Sequence, residues 1–262
     1  LFAAVFLSLS EKNYMQMKKR IYLVLIPLFF ACKGEEALDI TVDEIDAYVE
    51  QKLSDSELYD VSQSLRFSHE AESYEVVKFM QNDTVVLFME TISTGLQQVM
   101  RQVFYMHGKP VYVDEIIAKN SDVTPFTQRK VYLNGSSVME GYLRTGSMES
   151  ELEFVDYETA SISADEYDFD KAERAMAQQE EFELQYEEIM MVGEQRYLIL
   201  ENPASKFDVA LFIAEPTPFL VDLDEHTDEY KGRTLFVTHQ FILMNGVERM
   251  LFIEAYFPEE KP

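Results

Sequence analysis

Four points along this chain place two turn-forming residues side by side between β-prone segments: Asn82-Asp83, His107-Gly108, Asn134-Gly135 and Asn245-Gly246. A two-residue hairpin loop demands this chemistry. A type I′ turn holds both central residues at positive φ, and its backbone twist matches that of the strands it joins. The pattern predicts strands over 75–81 and 84–91, and hairpins over 102–115, 129–142 and 240–254. Further strand-like runs cover 195–201, 207–215, 219–223, 233–244 and 247–257, with Pro203, Pro216 and Pro218 marking loops. Nineteen Phe and 15 Tyr, with no Trp, supply the aromatic surface that pleated faces pack. The last three hairpins share little in their second strands, so they read as common hairpin grammar rather than a repeat.

Helical signals are fewer. Thr41-Val-Asp-Glu44 fits a capping box, followed by Ile45, Tyr48, Val49 and Leu53 at helical spacing. Ser54-Asp-Ser-Glu57 fits a second, ahead of Leu58, Val61 and Leu65. From Asp165 or Asp168 to about Met191, the residues Ala172, Ala175, Met176, Phe182, Tyr186 and Ile189 line one face of a long helix. Glu187 and Glu188 oppose the dipole at its C-terminal end, so packing on a sheet must hold it. The expected fold class is α+β: antiparallel β-hairpins with a short N-terminal helical pair and one long amphipathic helix. A division near Val192-Gly193 gives an α+β module over 41–192 and a β-rich module over 193–262; one continuous sheet is the alternative.

The chain's address is written ahead of the fold. Lys18, Lys19 and Arg20 precede an apolar run from Ile21 to Phe30, then Ala31 and Cys32, the only cysteine. A cationic start, a short apolar core and a small residue at the cut make a secretory signal. The run is too short for a spanning helix of ~20 residues, and Pro27 interrupts it. Leu28-Phe29-Phe30-Ala31-Cys32 resembles the lipobox of bacterial lipoproteins, and Cys32-Lys33-Gly34-Glu35-Glu36 looks like the acidic tether of Bacteroidota surface lipoproteins. That resemblance implies lipidation of Cys32, cleavage before it and a place in the cell envelope, at the outer membrane. Residues 1–16 then read as an upstream extension, 17–31 as the signal peptide and 32–40 as a flexible tether.

Removing residues 1–31 leaves 18 cations against 47 anions, a net charge of −29 where the full chain carries −26. Such a field opposes nucleic acid, whose phosphates need Lys and Arg. It favours a basic partner or loosely held divalent cations. With no second cysteine there is no disulfide, so the core alone must hold the fold; at 47% hydrophobic residues a core is available.

Catalytic motifs are absent from the sequence. There is no G-x-S-x-G elbow, S-x-x-K or phosphate-cradling loop, and His69, His107, His226 and His239 show no metalloprotease spacing. Asp222, Asp224, His226 and Asp228 are the candidate metal ligands, since acids at alternate positions resemble a calcium loop. Thr227 stands where that loop needs Gly, and Arg233 where it needs a closing acid. A solvated acidic turn is the other reading. Asp83-Thr84-Val85 resembles the Bacteroidota O-glycosylation sequon, making Thr84 the candidate acceptor. The expectation is a lipid-anchored envelope module that binds a protein or a glycan, with no cofactor and no evident catalysis. An envelope-polymer hydrolase and a structural spacer are the alternatives.

Overall fold

A computed structural model describes residues 38–55, 58–120 and 123–258. Fourteen strands join in one mixed sheet, and Ala37–Pro262 forms one compact unit. Its centre is a six-strand antiparallel meander: β3 (Glu72–Gln81), β4 (Thr84–Ser93), β5 (Gln97–Met106), β6 (Lys109–Lys119), β7 (Phe126–Asn134) and β8 (Ser137–Gly146). The free side of β3 pairs with β1 (Asp60–Gln63) at one end and β2 (Phe67–His69) at the other. A single pair, Asp208↔Ser68, joins β2 to a second meander of β12 (Asp208–Ile213), β11 (Gln195–Glu201) and β10 (Gln185–Val192). The hairpin of β13 (Phe236–Met244) and β14 (Val247–Tyr256) meets β12 at Phe212↔Leu251, the parallel contact. Two-residue β9 (Glu158–Thr159) closes the far side against β8.

The turns form for the reason their residues suggest. Asn82 and Asp83, His107 and Gly108, and Asn245 and Gly246 each hold two consecutive positive φ angles. At the fourth site the turn moves one residue on. Gly135 alone has positive φ, the II′ pattern, while Asn134 ends β7. Its side-chain amide is occupied elsewhere: it accepts from Leu38 N at 2.7 Å and donates to Leu38 O at 2.8 Å, pinning Leu38 to the sheet.

Helices are short, which corrects the expected α+β class to a sheet-dominated fold. α1 (Val42–Ser54) opens on the predicted capping box: Glu44 N donates to Thr41 Oγ1 at 3.3 Å, and Thr41 N donates to Glu44 Oε2 at 2.8 Å. Among the described residues, its expected partner helix does not form. Ser54 ends α1, and residues 60–63 pair with β3 instead. The long helix is also absent. α2 (Lys171–Ala177) spans seven residues and stops where Gln178 turns left-handed, φ +51°. Residues 185–192 pair with β11, with a bulge at Glu187, because tertiary pairing overrides the helix propensity of Glu and Met. The strand expected over 219–223 is α3 (Pro218–Glu225), set by the Thr217 N-cap and Pro218 at the first helical position. A four-residue turn, α4 (Thr227–Tyr230), follows.

Val192-Gly193, the expected module boundary, is where β10 turns into β11, and residues from both sides of it share one core. Phe67, Tyr74, Val76 and Phe88 pack with Phe182, Tyr186, Leu198, Leu211 and Val237. The central meander is covered on both faces. α1 seats Ile45 and Val49 on Leu87, Phe104, Tyr112 and Tyr132. Tyr167 and Phe169 cover Val103, Val113 and Val131 on the reverse side. Gly141 on β8 admits this crossing segment: a Cβ there would lie 2.8 Å from Ala160 O.

Candidate functional site

The residues singled out in the sequence do not assemble. Cys32 lies outside the described residues. Asp222 and Asp224 sit on α3, His226 follows it and Asp228 lies in α4. His226 Nδ1 is 3.1 Å from Asp222 Oδ1, and Tyr230 donates its hydroxyl to Asp222 Oδ2 at 2.6 Å. Among the described residues, no three His, Cys, Asp or Glu side chains converge to hold a metal. The backbone carbonyl of Asp222 and the surrounding carboxylates hold His226 above the ordinary imidazole pKa, on an exposed surface. His239 is half-buried, its Nε2 3.2 Å from Ser64 O, and desolvation lowers its pKa. Thr84 is exposed at the first position of β4, beside the Asn82-Asp83 turn.

Two other arrangements stand out, one on each face of the central meander, and neither was legible as a motif. On the α1 face, beyond the aromatic row Phe104–Tyr112–Tyr132, register sets Met89 opposite Gln102, then Asp114, then Lys130. The next row is Thr91, Met100, Ile116, Gln128 and Arg144. Five strands at ~4.8 Å spacing make this row about 19 Å long. Two clefts, of about 590 and 310 Å³, lie along it and share Ile116 and Gln128. Gln128 is the hinge of the polar floor. It donates to Asp114 Oδ1 at 2.7 Å and accepts from Arg144 Nε at 2.9 Å and Nη2 at 2.6 Å. Burial raises the Asp114 carboxyl, with Gln128, Lys130 and Arg144 opposing. Lys130 and Arg144 sit over the Tyr157 ring at 4.9 and 4.4 Å. The Tyr157 hydroxyl is buried without a hydrogen-bond partner, and burial, then Asp114, push its pKa up to about 12. The floor thus combines Met and Ile surface with amides, a carboxyl and a guanidinium. Among the described residues, no histidine or cysteine lines either cleft. A floor of this make-up offers a ligand apolar surface beside hydrogen-bonding groups.

On the reverse face runs a ladder of alternating charge. Glu90, Arg101, Glu115 and Arg129 are directly opposite one another on β4, β5, β6 and β7. Arg101 donates to Glu90 at 3.0 Å and to Glu115 at 3.1 Å; Arg129 donates to Glu115 at 3.3 Å and to Glu166 at 3.0 Å. Side-chain exposure is 3% for Glu90, 2% for Glu115, 17% for Arg101 and 29% for Arg129. Tyr167 covers the row, donating to Glu115 Oε1 at 3.1 Å with its ring 5.0 Å from the Arg101 guanidinium. Burial raises Glu90 above the ordinary carboxylate range, Arg101 opposing. Burial would lower Arg101, but Glu90 and Glu115 together carry it above its ordinary value. The ladder fixes register and fastens the 164–169 segment to the sheet.

The groove and the ladder define a class: an open antiparallel-dominated sheet with a ligand-sized groove on one face and a buried ionic brace behind it. Comparison with protein-family models, curated proteins and solved structures found no match to this chain.

Proposed function

We propose that this chain is a binding module of the bacterial cell envelope, tethered by lipid on Cys32, that receives an envelope protein or a glycan along the groove across β4–β8. The groove's make-up carries the reading: Met89, Met100 and Ile116 lie beside Gln102, Asp114, Gln128 and Arg144 over about 19 Å. The signal from Lys18 to Cys32 supports the tether and the compartment. A close cluster of polar residues in a deep pocket around His226 or His69 would favour a hydrolase. Neither histidine lines the five clefts described, which favours binding over cleavage.

Two measurements test the two halves. The mass of the mature N-terminal peptide from native membranes, beside a Cys32→Ala control, is expected to begin at a lipidated Cys32. An unmodified Cys32 with earlier residues retained refutes the tether. A photo-crosslinking amino acid at position 100, in intact cells, is expected to trap an envelope protein or glycan that the same probe at Val221 on α3 does not. Equal capture at both positions, or none at position 100, refutes the groove.

A further inference from the structure

The ends of this sheet are finished unequally. An edge strand presents unpaired N–H and C=O groups, and proteins blunt such edges by shortening, capping, bulging or charging them. At one end β9 has only two residues. The outer side of β13 is capped at Val237 by a side chain: Gln178 donates to Val237 O at 2.7 Å and accepts from Val237 N at 3.1 Å. A bulge follows at Thr238/His239. β10 is left open. Its outer side is satisfied as far as Tyr186, which donates to Arg233 O at 3.0 Å and accepts from Gly232 N at 2.9 Å, with the bridge Gln185↔Thr234 alongside. Over Glu188–Val192, among the described residues, no backbone hydrogen bond continues that pairing.

The side chains along this open stretch are Ile189, Met190, Met191 and Val192, with no Lys, Arg or Pro. Met190, Met191 and Val192 are 39, 53 and 56% exposed. Because consecutive strand residues point to opposite faces, apolar surface is offered on both sides of the edge. Glu188 is exposed within the stretch and Glu194 in the turn just beyond it, exposed Arg196 stands opposite Met191 on β11, and the whole chain carries −26. A second copy of this chain is a poor occupant. Two copies would bring two strongly negative chains together. We propose that the outer edge of β10, over Glu188–Val192, accepts an extended segment of another protein in which Lys or Arg alternates with β-branched apolar residues, added as a fifteenth strand. Main-chain pairing supplies the affinity of such a complex, and the flanking carboxylates select a basic strand. The edge is on β10 and the groove on β4–β8, so either can fail without the other.

The test uses the mature chain and a fluorescent octapeptide of alternating lysine and valine. Anisotropy is expected to report binding, and hydrogen exchange is expected to slow at the amides of 188–192. Met190→Lys and Met191→Lys, on opposite faces of the edge, are each expected to weaken binding by about tenfold or more. Both positions are exposed, and circular dichroism checks that each variant folds. The same peptide with alternate backbone nitrogens methylated, and a glutamate–valine peptide, are expected not to bind. No binding, protection elsewhere than 188–192, or equal binding of the methylated peptide overturns the proposal. So does a concentration-dependent dimer with 188–192 protected in the absence of peptide, which makes a second copy the occupant.

Discussion

Glu115 is the keystone of the buried ladder, and its removal gives the sharpest test of the fold. Glu115→Ala takes away three contacts at once: Arg101 Nε at 3.1 Å, Arg129 Nη1 at 3.3 Å and the Tyr167 hydroxyl at 3.1 Å. Arg101 retains Glu90, and Arg129 retains Glu166, whose side chain is exposed. Breaking a buried pair by deleting one partner costs about 3–5 kcal/mol, chiefly because a charge is left in low dielectric without compensation. That is a fifth or more of a typical domain stability of about 5–15 kcal/mol. Glu166→Ala removes another carboxylate from the same arginine, but at the surface, where the cost is below about 1 kcal/mol. Urea unfolding followed by circular dichroism measures both. The expected result is a lowered midpoint with unchanged slope for each variant, and a cost for Glu115→Ala several-fold that for Glu166→Ala. Similar small losses from both would refute the burial of the ladder. A third variant separates charge from packing. Replacing Glu90, Arg101 and Glu115 together by apolar residues of similar volume is expected to recover much of the loss, as well-packed replacements of buried ion networks do.

Three further outcomes are expected. Thr41→Ala removes the acceptor for Glu44 N and is expected to cost about 1 kcal/mol, read by thermal unfolding. Gly141→Ala drives a Cβ to 2.8 Å from Ala160 O; the crossing segment must shift, at about 1–3 kcal/mol, and faster amide exchange at Ala160 reports it. Asp114 carries a folded-state pKa raised by burial, so its contribution to stability is present below the unfolded aspartate value of about 3.9 and lost as pH rises through the folded value. Asp114→Asn is therefore expected to unfold at higher urea than the parent chain at pH 7, with that advantage shrinking towards pH 4; an advantage that grows on acidification would contradict the assignment.

The sequence made local geometry legible and left register hidden. Asn82-Asp83, His107-Gly108 and Asn245-Gly246 form their turns because positive φ is a property of the residues themselves. The box at Thr41 and Glu44 is equally local. Register is different. A regular hairpin on His107-Gly108 would set Arg101 opposite Asp114. The bulge between Phe104 and Tyr105 moves it one place, to Glu115, and so decides which carboxylate it meets. Nothing in the local sequence announces that bulge. The groove is hidden for the same reason, since Met100, Ile116, Gln128 and Arg144 become neighbours only once three strand pairings are set. The long-helix expectation failed through a real ambiguity. Phe182, Tyr186 and Ile189 do turn inward, but in a short turn and a strand rather than on one helix face. The misplaced Glu187 and Glu188 were the signal against a helix there, and the strand resolves them by pairing Glu187 with Lys231.

The charge balance ties these features together. With 48 acidic residues against 22 basic ones, the chain cannot give each carboxylate its own cation. It shares arginines instead. Arg101 serves Glu90 and Glu115; Arg129 serves Glu115 and Glu166; Arg66 serves Glu75 and Glu248; Arg174 serves Asp168, Glu180 and Glu181. A planar guanidinium fork can address two carboxylates at once with directed hydrogen bonds, which a lysine ammonium does less well. Each shared arginine also joins segments that repulsion would separate: β7 to the 164–166 turn, and the β1–β2 link to the β13–β14 hairpin. The shared arginines serve buried and surface carboxylates alike, and Glu188 and Glu194 stay exposed at either end of the open stretch of β10. The same shortage of positive charge that makes the ladder costly to break makes a basic strand the one that edge is suited to receive.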